Sequence, residues 1–358
     1  MNEDIKKYLS LNNISIVEAM QKIDANSRGI LYITDEKECL IGSLSDGDIR
    51  RWIIKTGNLS GNVYEAMNTN VISVLYDSNF EYKKYMEEKG VTSLPIVDYD
   101  NKIKDIFFRD KLVELTKNNE SLKEIPVIVM AGGKGTRLYP FTKILPKPLI
   151  PIGDIPILER IFNRFCYFGT NTFYLIVNYK KDMIRSYFND LNPEYSIKYI
   201  EEEKALGTAG GLRLIDDDLE GPVIITNCDI LIEADYGKII DYHRESHNDL
   251  TIVSSLKNVT IPYGVLKSEE HGRVVSLEEK PTLSYFINTG MYVINAEHLK
   301  KIPNDTVYHM TNLVNELMKE RLRVGMYPIS ENSYLDMGQL EEMKRMEEQL
   351  NVSSNMRN

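Results

Sequence analysis

Residues Met130 to Leu149 read MAGGKGTRLYPFTKILPKPL and are the most informative part of the chain. A glycine-rich turn follows an apolar run, and Arg137 and Lys147 come after the turn. Glycine allows a backbone to approach a ligand closely and to align its N–H groups toward an anion. The two cations add the charge that a bound triphosphate requires. The pattern therefore predicts a site for nucleotide phosphates.

Two common phosphate-binding motifs do not fit this stretch. The Walker A loop requires Gly-Lys followed by Ser or Thr, whereas Gly133-Lys134 is followed by Gly135. The dinucleotide fingerprint requires a small residue where Leu138 stands. The pattern that is left, GGKGTRL followed by PKPL, resembles the signature of the sugar-1-phosphate nucleotidyltransferases.

Composition excludes several other classes of protein. The chain has 358 residues, 42% hydrophobic and 27% charged, as expected for two or three globular domains. Its net charge of −10 argues against nucleic acid as a partner. No apolar run approaches the ~20 residues of a membrane span, and the polar start MNEDIKKYLS is not a secretory signal. We expect a cytoplasmic protein with no membrane partner, whose three cysteines are reduced thiols.

A polar joint at residues 119–125 predicts a linker between an N-terminal module and a domain over 126–350, with a flexible tail over 351–358. The N-terminal part contains a repeat with a period of about sixty residues, with copies at 1–60 and 61–118. Each copy reads strand, acidic turn, strand and a helix that opens at an aspartate, Asp48 or Asp110. Within each copy an amphipathic helix is predicted before this strand-turn-strand stretch, at 15–26 and at 78–89.

This repeat resembles tandem CBS domains, which implies an α+β module that binds adenine nucleotides such as AMP or ATP. In the first copy Gly42, Ser45 and Asp48 match the family pattern, which places the aspartate on ribose hydroxyls and the serine on a phosphate. The second copy has Lys104 and Phe107 at the first two positions, so we expect at most one competent site. Helix capping is the alternative role for both aspartates, and we favour it in the second copy.

Strands and helices alternate from residue 126 onward. PVIVMA, TFYLIVN and PVIITNCD predict buried strands, and PILERIFNRFCYFG predicts a helix with Pro156 in its first turn. This order predicts an α/β domain with a doubly wound, mostly parallel, Rossmann-like sheet that binds ligands at the carboxyl ends of its strands. YGVLKSEEHGRVVSLEEKP predicts a hairpin that turns at His271-Gly272 and forms an antiparallel lid, and QLEEMKRMEEQL predicts a closing helix.

Later segments suggest a nucleobase site and a metal site. LGTAGGL at 206–212 contains three glycines that disfavour a helix and indicate close approach, which we interpret as a flat nucleobase that lies against the backbone and is read by main-chain atoms. An ordinary helix entrance is the alternative. Asp229 ends the strand IITNCD, and a carboxylate in that position is a typical Mg²⁺ ligand. A strand-end aspartate that caps a helix is the alternative.

The resemblance to the transferases supplies the remaining roles. It implies that Asp336 is the second Mg²⁺ ligand, that Lys280 contacts the sugar phosphate, and that the sugar is held by the YG, EEKP and INTG segments. The predicted catalytic residues are Arg137, Lys147, Asp229 and Lys280, the nucleotide-binding residues are Ala131, Gly132, Gly133, Lys134, Gly135, Thr136, Gly207 and Thr208, and the sugar-binding residues are Tyr263, Gly264, Glu279, Asn288 and Thr289.

These parts imply in-line attack of a sugar-1-phosphate oxygen on the α-phosphorus of a nucleoside triphosphate, with loss of pyrophosphate. The second pKa of a phosphate monoester is about 6, so the nucleophile needs no general base at neutral pH. Arg137 and the backbone of 132–136 would neutralise the leaving phosphates, Lys147 would hold the reacting phosphates, and Mg²⁺ would bind Asp229 and Asp336.

The fusion of a CBS pair with LGTAGGL resembles guanylyltransferases of bacterial surface-sugar pathways, among them the glucosamine-1-phosphate enzyme of legionaminic acid synthesis and the mannose-1-phosphate type. We therefore favour GTP as the donor, with glucosamine-, mannose- or glucose-1-phosphate as the acceptor. UTP, dTTP and CTP remain alternative donors.

One rival hypothesis is a nucleotide-sensing protein whose transferase fold has lost turnover. Another is that the CBS pair serves only dimerisation. We expect a homo-oligomer, a dimer or higher.

Overall fold

The computed structural model describes residues 3–26, 28–76, 81–109, 120–216 and 218–355. The chain forms two compact units. The first comprises Met1–Thr116, Leu256–Ile287 and Pro328–Asn332, and the second comprises Lys117–Ser255, Asn288–Tyr327 and Ser333–Asn358. The chain therefore passes twice from the second unit back into the first.

The N-terminal part of the first unit contains two three-stranded sheets, ordered β1-β2-β3 and β4-β5-β6. A short 3₁₀ helix at Glu3–Tyr8 precedes them. The elements are β1 Leu9–Leu11, α1 Ile16–Asn26, β2 Ile30–Thr34, β3 Leu40–Ser45, α2 Asp46–Thr56, α3 Val63–Ala66, β4 Val74–Leu75, α4 Tyr82–Lys89, β5 Ser93–Val97 and β6 Ile103–Phe108.

The two sheets confirm the internal repeat. Antiparallel pairing joins Ile30 to Ser45 in one copy and Ser93 to Phe108 in the other, so equivalent positions lie 63 residues apart. The acidic turns also match, because Asp35 and Asp98 each accept backbone N–H groups from the residues two and four positions later. An aspartate that bonds its own following backbone in this way stabilises a tight turn, which explains the acidic residue in both copies.

The helices of the repeat follow the prediction with one correction. Helices α1 and α4 lie within the predicted 15–26 and 78–89. The helix predicted to open at Asp48 begins two residues earlier, because Ser45 is the N-cap and Asp48 completes a capping box with it. The helix predicted at Asp110 lies outside the described residues.

The segment 328–332 contacts the repeat within the first unit. Arg50 Nε donates to the carbonyl of Pro328 at 2.7 Å, and Asn332 Nδ2 donates to the carbonyl of Asp24 at 3.0 Å. Burial, together with the nearby carboxylates of Asp46 and Glu331, raises the pKa of Asp24 to about 7. The segment is thus attached to the repeat by hydrogen bonds at both of its ends.

The elements that follow alternate between strands and helices. In chain order they are β7 Val127–Ala131, α5 Phe141–Ile144, β8 Pro151–Ile152, β9 Ile155–Pro156, α6 Ile157–Tyr167, β10 Thr172–Val177, α7 Lys181–Leu191, β11 Ser196–Glu201, β12 Pro222–Asn227, β13 Ile230–Ile232, α8 Tyr236–Glu245, β14 Leu250–Thr260, β15 Gly264–Ser268, β16 Val274–Glu279, β17 Thr282–Asn295, α9 Met310–Lys319, β18 Val324–Ile329, β19 Tyr334–Asp336 and α10 Leu340–Asn355.

The α/β class is confirmed, but the prediction of a mostly parallel sheet is wrong. The described strands form a seven-stranded sheet in the order β11-β10-β7-β12-β17-β14-β18. The pairs β11/β10, β10/β7 and β7/β12 are parallel, whereas β12/β17 is antiparallel. The sheet is mixed because β17 is reached from β14 through a hairpin and not through the helical crossover that a parallel strand needs.

The apolar runs of the sequence form the strands of the parallel half of the sheet. Strands β7, β10 and β12 are buried along almost their whole length, as strands covered on both faces must be. Helix α6 buries Phe162 and Phe165, and the ring of Phe162 stacks on Phe173 with centroids 4.2 Å apart. Pro156 is the N-cap of α6 and precedes its first turn. This packing covers the sheet near the amino ends of its strands, because Phe173 pairs with Val127 at the start of β7.

The hairpin and the closing helix are both present. Strands β15 and β16 pair antiparallel, and the turn contains His271 and Gly272 at positive φ, as predicted. The lid role of the hairpin stays a prediction. Helix α10 continues to Asn355, so the part of the predicted tail that the structure describes is helical. Among the described helices, none combines the length and the hydropathy that a bilayer crossing requires.

Candidate active site

The glycine-rich segment leaves the end of β7 and forms a loop over 132–135, followed by a 3₁₀ turn at Thr136–Leu138. Gly135 has φ +64°, and a Cβ there would lie 2.9 Å from Thr142 Cγ2 and 3.1 Å from Lys147 Cβ. Glycine is thus required at this position for its conformation and for its lack of a side chain. Thr142 Oγ1 also donates to the Gly135 carbonyl at 2.8 Å, which fixes the loop.

The loop has free backbone donors. The backbone hydrogen bonds of the described residues include none donated by the N–H groups of 132–135. A Cβ on Gly133 would meet nothing within 4 Å, so the space beside it is open. Ala131 is buried, whereas Lys134, Thr136 and Arg137 are exposed. Free N–H groups beside exposed cations are what binding an anion requires.

Lys147 and Asp229 form an ion pair next to this loop. Their side chains are 10% and 14% exposed. Lys147 begins a 3₁₀ turn after Pro146, and Asp229 lies two residues beyond the end of β12, where the sequence placed it. The lysine predicted to hold phosphates is therefore close to the aspartate predicted to hold a metal ion.

The structure brings Asp336 to the same place. Strand β19 pairs with β13 so that Asp336 lies opposite Ile230, and the N–H of Met337 donates to the Asp229 carbonyl at 2.8 Å. Burial and the neighbouring charge of Asp229 raise the pKa of Asp336 to about 6. Two neighbouring carboxylates, one of them paired with a lysine, are a donor set that suits a divalent cation with oxygen ligands. The residues present thus fit Mg²⁺.

Glu202 was missed by the sequence analysis. It is 5% exposed, and a Cβ on Gly132 or on Gly211 would lie 2.6 Å or 2.5 Å from one of its carboxylate oxygens. Burial raises its pKa to about 7, although a backbone hydrogen bond from Leu206 opposes the shift. Among the described residues Glu202 Oε1 has no hydrogen-bond partner. The acidic run EEEK was visible in the sequence, but nothing there distinguished one buried glutamate from solvated neighbours.

The LGTAGGL segment packs against protein. Gly207 has φ +84°, and a Cβ there would lie 2.6 Å from the Tyr308 carbonyl oxygen. A Cβ on Gly210 would lie 2.7 Å from the Thr306 carbonyl oxygen. On the sides of these glycines that a Cβ would occupy, the backbone of 306–308 makes the close approach. The approach of a nucleobase to this segment stays a prediction. The Thr208 hydroxyl accepts the N–H of Met310 at 3.1 Å.

Two predicted sugar residues, Asn288 and Thr289, lie in the second unit on β17. Asn288 Nδ2 donates to the Tyr292 hydroxyl at 2.6 Å, and its Oδ1 accepts the N–H of Gly290 at 3.0 Å. Thr289 is buried and donates to the Val253 carbonyl at 2.7 Å. The Thr289 hydroxyl is thus engaged by the sheet, and the contact with the sugar that was predicted for Thr289 stays a prediction.

The other sugar residues belong to the hairpin of the first unit, and the structure brings them together. Gly264 lies opposite Glu279 in the β15/β16 pairing, and the N–H of Lys280 donates to the Tyr263 carbonyl at 3.2 Å. Tyr263 is 74% exposed, and Lys280 has a φ of 49°. These four residues form one exposed end of the hairpin.

The predicted CBS ligand residues bond to each other. Asp48 Oδ2 accepts the Ser45 N–H at 2.9 Å and its hydroxyl at 2.6 Å, and Asp48 Oδ1 accepts from Arg51 at 2.6 Å. A Cβ on Gly42 would lie 2.5 Å from Met67 Sδ, so internal packing explains this glycine. The capping role that we considered for Asp48 is present in the form of the capping box.

Residues 126–352 of the chain match the family model of the nucleotidyl transferases. The chain belongs to this family. The match begins at the residue before β7 and covers every site residue described above in the second unit. The transferase domain is therefore the part of the chain that carries the glycine loop, the Lys147–Asp229 pair and Asp336.

The chain is similar to several proteins that carry different names. The chain is 32% identical over 203 residues to the bifunctional protein GlmU of Methanococcus aeolicus, covering 54% of this chain and 47% of that protein. It is 33% identical over 188 residues to the mannose-1-phosphate guanylyltransferase of Mycobacterium tuberculosis, covering 50% and 51%. The crystal structure of HddC from Yersinia pseudotuberculosis aligns at a TM-score of 0.50 and 25% identity, covering 63% and 99%. The chain thus spans about half the length of these two curated relatives.

The two neighbouring glycines of the loop provide a test of its packing. We expect Gly132→Ala to lower the free energy of unfolding by about 1–3 kcal/mol, because its Cβ would displace the buried Glu202. Gly133→Ala is the matched control and should change it by no more than about 0.5 kcal/mol, since its Cβ meets open space. Urea unfolding of both variants measures the difference, and equal stabilities would contradict the described position of Glu202.

Proposed function

We propose that the transferase domain transfers a nucleoside monophosphate from a triphosphate to a hexose-1-phosphate and releases pyrophosphate. The observation that carries this proposal is the assembly of open backbone donors at 132–135, the Lys147–Asp229 pair and Asp336 at one site. The relative named a mannose-1-phosphate guanylyltransferase supports the same reaction class. The product is an NDP-sugar of the kind used in surface-glycan synthesis.

The residues of the site suit a reaction that needs positioning and charge neutralisation. A sugar-phosphate oxygen is already ionised near neutral pH, so the attack on the α-phosphorus requires no general base. The N–H groups of 132–135 and Arg137 bind the β- and γ-phosphates that leave, and Lys147 orients the reacting phosphates. Asp229 and Asp336 would hold Mg²⁺, which when bound supplies further positive charge to the phosphates.

The reaction is tested by pyrophosphate release from purified protein with Mg²⁺, five nucleoside triphosphates and three hexose-1-phosphates. Asp229→Asn should lower kcat/KM by about 10²- to 10³-fold, because it removes a charge that holds the cation. Asp241→Asn, an exposed aspartate on α8, is the control and should leave the rate unchanged. Absence of pyrophosphate with every substrate pair, or equal rates for wild type and Asp229→Asn, would refute the proposed reaction.

We favour GTP as the donor, and Glu202 supports this choice. A carboxylate accepts two hydrogen bonds side by side and donates none when ionised. Guanine offers two adjacent donors, N1–H and the exocyclic amine, whereas uracil and thymine offer one donor between carbonyl oxygens. Glu202 is buried between the phosphate loop and the LGTAGGL segment, and its Oε1 has no partner among the described residues. Because the N–H of Leu206 already donates to the Glu202 carboxylate, a base N–H directed at Oε1 would complete its hydrogen bonding.

The base preference is tested with Glu202→Gln, which exchanges one acceptor for a donor at nearly constant volume. We expect the ratio of kcat/KM for GTP to that for UTP to fall by about 10-fold or more, since a matched bidentate pair discriminates by about 1–3 kcal/mol. A thermal melt of the variant checks that the fold is intact. If the wild type prefers UTP, dTTP or CTP, or if the ratio does not change, the assignment of guanine to Glu202 is wrong.

The acceptor is proposed to be glucosamine-, mannose- or glucose-1-phosphate, and within the first unit the hairpin residues Tyr263, Gly264, Glu279 and Lys280 are proposed to contact it. The relatives and the resemblance to the legionaminic acid enzyme support this range and do not choose within it. The chain is proposed to act as a homo-oligomer.

We also propose that the N-terminal repeat is a CBS pair that binds AMP or ATP through Ser45 and Asp48. The repeated topology and the position of both residues at the start of α2 support this. Millimolar AMP or ATP should raise the melting temperature of the wild type and not that of Asp48→Asn, because a ligand that binds only the folded state stabilises it. Asp105→Asn, exposed on β6, is the control. No shift with either nucleotide would refute the sensing role.

A further inference from the structure

The LGTAGGL segment is joined to the start of α9 by a set of hydrogen bonds that the proposed chemistry does not use. Five bonds connect residues 206–210 with residues 308–310, all within the described part of the second unit. Three are between backbone groups, in which Tyr308 accepts from Ala209 and Gly210 and donates to Leu206. The other two involve side chains, those of His309 and Thr208.

The two side-chain bonds are reciprocal. The N–H of Thr208 donates to His309 Nδ1 at 3.4 Å, and the N–H of Met310 donates to Thr208 Oγ1 at 3.1 Å. The imidazole must therefore present an unprotonated Nδ1 to Thr208. Each side chain thus satisfies a backbone donor on the other segment, which would otherwise be left without a partner.

Close packing leaves this arrangement little freedom. A Cβ on Gly207 would lie 3.1 Å from the His309 ring in addition to 2.6 Å from the Tyr308 carbonyl oxygen. Helix α9 is itself anchored, because Met310 and Leu313 are buried in the same core cluster as Ala209 and Leu212. The 206–210 segment therefore rests on a rigid support that begins at residue 308.

We propose that His309 is a positioning residue for the nucleotide base and acts through Thr208. It holds the backbone of 207–208 in the conformation that binds the base, and its loss weakens nucleotide binding while the chemical step and the sugar phosphate are unaffected. The inference rests on the proposed function, since it assigns 206–210 to the nucleotide. It adds a residue that no sequence motif of the domain includes.

The experiment compares His309→Ala with His309→Asn. Alanine removes the acceptor, whereas asparagine places Oδ1 at the chain position of Nδ1 and also caps a helix well. We expect His309→Ala to raise the KM for the nucleotide by about 3- to 10-fold, the range for one lost hydrogen bond, with kcat and the KM for the sugar phosphate unchanged. His309→Asn should return the nucleotide KM to within about 2-fold of wild type. His247→Asn, at an exposed turn with φ 50°, is the control.

Direct titration of GTP by calorimetry separates this inference from the reaction itself. If the wild type binds GTP and releases no pyrophosphate, the proposed reaction fails, and the Kd values of the three His variants still test the positioning role. The role is overturned if His309→Ala binds GTP like the wild type, if it lowers kcat without changing the KM, or if His309→Asn is as defective as His309→Ala. Melting curves of each variant show whether a loss of binding comes from unfolding.

Discussion

The candidate site depends on the balance of charge between one lysine and two carboxylates. Lys147, Asp229 and Asp336 come from three distant parts of the chain, and they are held together by a turn, the end of β12 and the β13/β19 pair. Removing the lysine would leave two neighbouring carboxylates partly buried and uncompensated, which costs more than an exposed charge does. Burial is the main cause of the raised pKa of Asp336, the charges of Asp229 and Glu342 add to it, and Lys147 opposes it without cancelling it. The same imbalance makes the site receptive to a divalent ion.

Glycines allow the segments around this centre to approach one another. Gly132 and Gly211 leave room for Glu202, and Gly207 and Gly210 leave room for the backbone of 306–308. The sequence pattern indicated close approach of a ligand at these positions, whereas the groups that lie where the missing side chains would be belong to the protein. Among the glycines of the phosphate loop and of 206–212, all of them described, Gly133 alone faces open space, so a ligand explains few of these glycines directly. The other glycines allow the protein to pack closely beneath the proposed nucleotide-binding surface.

Features with a local cause were predictable from the sequence. Strands β7, β10 and β12, helix α6, the hairpin turn and the repeat all have periodic or turn signals within a few residues. The antiparallel β17, the buried Glu202 and the bonding of His309 to Thr208 were not predictable, because each depends on residues far apart in sequence. The start of α2 is an intermediate case. The sequence allows both a capping box between Ser45 and Asp48 and a simple N-cap at Asp48, and the structure contains the capping box.

The position of Glu202 connects two functions that motif analysis treats as separate. One of its oxygens lies against Gly132 of the phosphate loop and the other against Gly211 of the base segment. Because such a buried side chain cannot move without disturbing both, the proposed base pocket and the proposed triphosphate cradle share one support. Under the proposed function, a base that mismatched Glu202 would press on the phosphate loop through this shared contact, whereas His309 contacts only the base segment. A mismatch at Glu202 should therefore lower kcat as well as binding, since a misplaced α-phosphorus is poorly aligned for in-line attack.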